Sequence, residues 1–128
     1  MPWAADRMTR ILVVDDQPEV AELVQAVLKD EGYVADAVYS GQAALDQLQQ
    51  TVYDLVVCDV RMPDIDGKAV FRAVEQLVPP RPIVLFMTGY GDNPTDAAFL
   101  QATAAVVLAK PLGIDALLER VRHLLTIR

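Results

Sequence analysis

Five short apolar runs punctuate the chain, and most are followed by residues spaced like one face of a helix. Arg10 to Val14 reads as a buried strand. Gln17 to Glu31 follows as a helix, with Val20, Leu23, Val24, Val27 and Leu28 on one face and Gly32 at its end. Tyr33 to Val38 alternates like a short edge strand. Ser40 is placed to cap a helix running to about Gln50, with Ala44, Leu45 and Leu48 turned inward. Asp54 to Cys58 is a central strand, Arg61 to Gly67 a loop, and Lys68 to Val78 a third helix. Pro79, Pro80 and Pro82 stop that helix ahead of the strand Ile83 to Met87. Asn93 and Pro94 read as the cap and first residue of a fourth helix, with Asp96 in its first turn. Ala105 to Ala109 is the fifth strand. The last helix carries Ile114, Leu117, Leu118, Val121, Leu124 and Leu125 at helical period.

Strands that are nearly continuous in apolar residues, alternating with helices, imply a parallel sheet covered on both faces. The fold class is α/β, a flavodoxin-like doubly wound sheet of order 2-1-3-4-5 with five helices. That order puts the switch point between strands 1 and 3. Charges stand where the strands end: Asp15 and Asp16 after the first, Asp59 after the third, Lys110 after the fifth. Carboxyl ends of parallel strands share one edge, where ligands bind. Three carboxylates gathered there repel one another unless a cation joins them. A hard divalent ion with oxygen ligands answers that need, and Lys110 adds a positive charge.

Composition narrows the picture. The 128 residues suit one domain with its own core over residues 9–128, behind a flexible segment 1–8. No apolar run approaches the roughly 18 residues of a membrane span. The start lacks a signal peptide's apolar stretch, and a single cysteine suits a reducing compartment, so a cytoplasmic protein is expected. A net charge of −7 argues against direct nucleic-acid binding.

Taken together, four motifs make the chain resemble a CheY-like response-regulator receiver domain of two-component signalling. They are the Asp15-Asp16 pair, the loop from Asp59 through Met62-Pro63 to Gly67, Thr88 after the fourth strand, and Lys110-Pro111. Each alone is unremarkable: acidic pairs are often solvated loop charge, Thr88 could cap a turn, and Lys110 could be a surface lysine. The four in order are specific. The resemblance implies that Asp59 takes a phosphoryl group from a histidine kinase or phosphotransfer protein, as an acceptor rather than an enzyme. It implies Mg²⁺ held by Asp16, Asp59 and the backbone carbonyl of Arg61, with Asp15 acting mainly through bound water. It pairs Lys110 with Asp59 at rest, gives Thr88 a phosphate oxygen, and suggests a cis Lys110-Pro111 bond.

A flavodoxin-type FMN protein shares the architecture, but Asp15-Asp16 would repel a phosphate. A dehalogenase-type phosphatase carries its nucleophile on the first strand and a second aspartate two residues on; Gln17 stands there. A receiver-like scaffold that never takes phosphate is the remaining alternative. Two departures from the family pattern stand out. Val107 occupies the place of a strand-5 aromatic, so signal output is expected to rest on Thr88 and the Gly89 to Asn93 loop. Partners, or a second copy of the chain, are expected on the face of helix 4, strand 5 and helix 5. Arg61 and Tyr90 flank the path of an attacking water and are expected to slow loss of the phosphate.

Overall fold

The computed structural model describes residues 8–89, 94–103, 106–111 and 113–127. Their elements run β1 (Arg10–Val14), α1 (Pro18–Asp30), β2 (Val34–Val38), α2 (Gly41–Gln50), β3 (Leu55–Asp59), α3 (Gly67–Glu75), β4 (Ile83–Thr88), α4 (Pro94–Ala102), β5 (Val106–Ala109) and α5 (Ile114–Ile127). All four strand pairings are parallel, and the sheet order is β2-β1-β3-β4-β5, as the alternation predicts. Residues 1–7 of the segment expected to be flexible lie outside the described residues, as do Tyr90, Asn93 and Ala105.

Side-chain alternation along the strands divides the core in two. Ile11, Val13, Leu55, Val57, Leu85 and Met87 face α1 and α5, where Val24, Leu28, Leu117 and Val121 meet them. Leu12, Val14, Val56, Cys58 and Phe86 face the other way, onto Ala44, Leu48, Val70 and Val74 of α2 and α3. Each of the Val, Leu, Ile, Phe and Met side chains, fully buried, is worth about 1.5–3 kcal/mol. This double covering is why the central strands are apolar at every position rather than at alternate ones.

The helix ends show what the hydrophobic pattern does not carry. Ser40 caps α2 as expected, its hydroxyl accepting from the Ala43 N–H at 3.1 Å. Asp66, read from sequence as a turn residue, caps α3 by accepting from the Ala69 N–H at 3.0 Å. α3 is shorter than expected: it starts at Gly67 and stops at Glu75 rather than Val78. Val78 stands 86% exposed, so no apolar contact rewards a further turn. Leu23 and Ile114, expected on core-facing stripes, are 55% and 47% exposed. They flank the core and form the walls of a groove instead.

Candidate functional site

Register places the charges. Val14 pairs with Cys58 and Asp59 with Met87, so Asp15, Asp59 and Thr88 arrive at the same edge of the sheet. Thr88 pairs with Ala109, and its carbonyl accepts from the Lys110 N–H at 2.7 Å, which delivers Lys110 to that edge. Carboxylate oxygens of Asp15, Asp16 and Asp59 lie within 4.8 Å of one another. The Lys110 ammonium donates to Asp15 at 2.8 Å and to Asp59 at 3.2 Å. Thr88 is buried beside them. The Lys110-Pro111 bond is cis, in line with the resemblance.

One detail departs from expectation. Asp15 is fully buried and is the nearer partner of Lys110, while its other oxygen accepts from the Gln17 N–H at 2.9 Å. It therefore has a direct ionic partner in Lys110, which the resemblance pairs with Asp59 alone. The reason is geometric: Asp15 follows β1 straight into the site, between β2 and β3.

The electrostatics are those of a charged pocket short of cations. Burial raises the Asp59 carboxyl above its ordinary range; Lys110 opposes this and Asp15 adds to it. Burial would lower the Lys110 ammonium, but the bond to Asp15 and the charge of Asp59 prevail and raise it, so it stays charged at neutral pH. The neighbouring Cys58 thiol is pushed well up by burial, then by Asp59 and Asp15, and stays a neutral thiol at neutral pH. Three carboxylates against one ammonium leave net negative charge in a partly desolvated site. Such a donor set, all oxygen and preassembled, fits a hard divalent cation.

The loop after β3 holds the acceptor side in place. Arg61 donates its backbone N–H to Asp59 at 3.3 Å, and Val60 donates to the Met87 carbonyl at 3.0 Å. Gly67 donates back to the Val60 carbonyl at 2.9 Å. A Cβ on Gly67 would overlap the Asp59 carbonyl oxygen and come within 2.9 Å of the Val60 Cα. Gly41 plays the same part against the Ile65 backbone, so the start of α2 presses on this loop. Asp64 takes a positive φ of 64°, a conformation that aspartate tolerates.

Sequence reasoning missed an ionic cluster beside the site. The Asp96 carboxylate, 7% exposed, accepts from Lys68 Nζ at 2.8 Å and from Arg61 Nε at 3.0 Å. Arg61 thus directs its guanidinium toward α4; the other side chain expected beside it, Tyr90, lies outside the described residues. Nothing in the local sequence announces a contact spanning 35 positions. A buried acid in the first turn of a helix, two loops from two cations, is a weak signal at best.

Next to the carboxylates a groove of about 670 Å³ runs between α1 and α5, its floor at Asp59, Lys110 and Gly89 and its walls at Val20, Leu23, Val27 and Ile114.

A five-stranded sheet of this order, with acidic residues at its switch point and a lysine from β5, is the arrangement of a signalling receiver. The chain matches the response regulator receiver domain over residues 11–122 and belongs to that family. It is 43% identical over 109 residues to the transcriptional regulatory protein ZraR of Salmonella typhimurium, covering 85% of this chain and 24% of that protein. It is 34% identical over 118 residues to the response regulator ArlR of Staphylococcus aureus, covering 92% of this chain and 53% of that one. A putative response regulator from Chloroflexus aurantiacus superposes with a TM-score of 0.82 at 34% identity, covering 94% of this chain and 99% of that structure. The chemotaxis protein CheY4 of Vibrio cholerae does so with a TM-score of 0.81 at 26% identity, covering 92% and 99%. The chain spans about a quarter of the length of ZraR and about half of ArlR. No helix among the described residues is long and apolar enough to cross a membrane.

Proposed function

We propose that this receiver accepts a phosphoryl group on Asp59 in a Mg²⁺-dependent transfer from a phosphohistidine, and that it works in the cytoplasm. The observation that carries this reading is the meeting of Asp15, Asp16, Asp59 and Lys110 in one pocket, with Thr88 buried at its side. An Asp59 carboxylate oxygen attacks phosphorus. The P–O bond forms as the P–N bond breaks, and the bonding pair leaves with the imidazole. Such transfer depends on positioning and charge neutralisation more than on covalent assistance. Lys110, already within reach of Asp59, turns to a phosphoryl oxygen as the carboxylate charge moves outward. The Thr88 hydroxyl donates to another. Asp16 and Asp59, with the Arg61 carbonyl, would hold Mg²⁺, while Asp15 anchors Lys110. When bound there, Mg²⁺ would neutralise the carboxylates and the incoming phosphoryl oxygens.

A titration with beryllofluoride and Mg²⁺ separates this switch from a scaffold that takes no phosphate. Wild type should bind the phosphoryl mimic saturably, and Asp59→Asn should not. No binding by wild type would leave the scaffold reading standing.

The donor needs a surface. A protein that brings a phosphohistidine to Asp59 must cover the ground beside it, and the groove of Leu23 and Ile114 is apolar ground opening onto that residue. Burying a leucine in such a contact is worth about 1.5–3 kcal/mol. Leu23→Glu should therefore slow transfer from a phosphohistidine protein by about tenfold or more. Labelling by acetyl phosphate, which needs no docking, should be unchanged. Equal slowing with both donors would place the effect in the chemistry rather than in docking.

A further inference from the structure

Arg61 belongs to two groups of residues at once. Its backbone N–H lies on the Asp59 carboxylate, and it lines the pocket that Asp59, Asp16, Gly89 and Lys110 share. Its guanidinium, on a side chain 51% exposed, is bound to Asp96 of α4. Asp96 is by contrast almost fully buried, and Lys68 Nζ holds it from the other side while reaching Asp66 at 3.6 Å. Burial alone would raise the Asp96 carboxyl; Lys68 and Arg61 together bring it below its ordinary range, so it is a fixed anion at neutral pH.

The two cations differ in freedom. Lys68 is only 17% exposed, and it stands beside the Asp66 cap at the start of α3. Arg61 sits at the mouth of the acceptor pocket on a loop. Two of the residues that seat α4 lie one turn apart. Asp96 meets the site loop, and Phe99 meets the rings of Phe71 and Phe86 at centroid distances of 5.6 and 6.0 Å. A shift of the Asp96 contact is therefore felt by the whole first turn of α4.

We propose that Asp96 is a positioning residue that holds the Arg61 guanidinium away from the acceptor pocket at rest, and that a phosphoryl group on Asp59 draws Arg61 off it. This rests on the proposed function above. A phosphoryl group turns the single carboxylate charge into nearly two, moved outward onto three acceptor oxygens beside a guanidinium suited to them. The gain at the phosphoryl group is set against the tie of a half-exposed arginine to one oxygen of Asp96, whose other oxygen Lys68 holds. Lys68 stays with Asp96, so the buried acid keeps a partner. α4 loses its tie to Arg61, and the state of Asp59 becomes the state of α4. A merely structural Asp96, neutralising the helix N-terminus, would involve Lys68 alone and be indifferent to Arg61.

A double-mutant cycle on beryllofluoride affinity at fixed Mg²⁺ tests this. Asp96→Asn should raise affinity about three- to fivefold. Arg61→Gln should lower it. In the Arg61→Gln background Asp96→Asn should have no effect. The same gain in both backgrounds would mean that Asp96 acts only through its field, and a loss of affinity in Asp96→Asn would make it a support of the site; either overturns the proposal. Amide exchange gives a reading from the exposed partner should Asp96→Asn disturb α4. Beryllofluoride should lower protection at the start of α4 in wild type and leave it unchanged in Arg61→Gln; the same loss in both would equally overturn it. Failure of wild type to bind the mimic at all would instead remove the acceptor reading, and this inference with it.

Discussion

Mg²⁺ should raise the melting temperature of the wild type and hardly move that of Asp16→Asn. The metal-free site holds three carboxylates against one lysine. Burial and Asp15 together lift the Asp59 carboxyl. The native state thus binds this proton more tightly than the unfolded chain does, so metal-free stability falls as pH rises upward from the ordinary aspartate range. A cation that binds the native site alone reverses the loss. At about ten times its dissociation constant it contributes ~1.4 kcal/mol. For a domain of this size that is about 5 °C. Asp59→Asn should itself stabilise the metal-free protein at neutral pH, since it removes the charge that burial penalises. Asp66→Asn is the control, because asparagine also caps a helix and stands outside the three-carboxylate cluster. Equal stabilisation of wild type and Asp16→Asn would remove Asp16 from the metal site.

Gly67→Ala should cost about 3 kcal/mol, or roughly 10 °C, and weaken beryllofluoride binding as well. The added methyl would collide with the Asp59 carbonyl and crowd the Val60 backbone, neither of which can swing aside as a side chain would. Relief requires either α3 to back away or Asp59 to move, and the second displaces the acceptor. Gly89→Ala is the matched contrast. Its nearest neighbour would be the Lys110 Cβ at 4.0 Å, and stability should be nearly unchanged. A Gly67→Ala protein as stable as wild type would mean that the α3 start yields freely, and that the loop does not fix Asp59.

These positions show how far the sequence could be read. Strand order and the meeting of Asp15, Asp59 and Lys110 followed from apolar runs ending in charges, because parallel strands put their carboxyl ends on one edge. The cap at Ser40 was visible because it stands directly before a periodic stretch. Asp66 was not, because Asp64, Asp66 and Gly67 together read as a turn. Leu23 shows a limit of periodicity: a residue on the apolar stripe of a helix can face a groove as readily as the core. Asp96 was legible as a charge suited to a helix N-terminus, but its pairing with Lys68 and Arg61 depends on how α3 and α4 pack. That packing is set by Phe71, Phe86 and Phe99, whose spacing along the chain shows no sign of their contact. Val107 packs half-buried on the same side of the sheet as Phe86, with the ring of Phe99 supplied from α4. The Gly89 to Asn93 hinge expected to carry the signal falls largely on 90–93, outside the described residues.

The most direct test of the acceptor assignment is intact-mass analysis after incubation with acetyl phosphate and Mg²⁺. Wild type should gain a single acid-stable, base-labile phosphoryl group, and Asp59→Asn should gain none. Labelling of Asp59→Asn to the wild-type extent, or none of the wild type with Mg²⁺ present, would contradict the account.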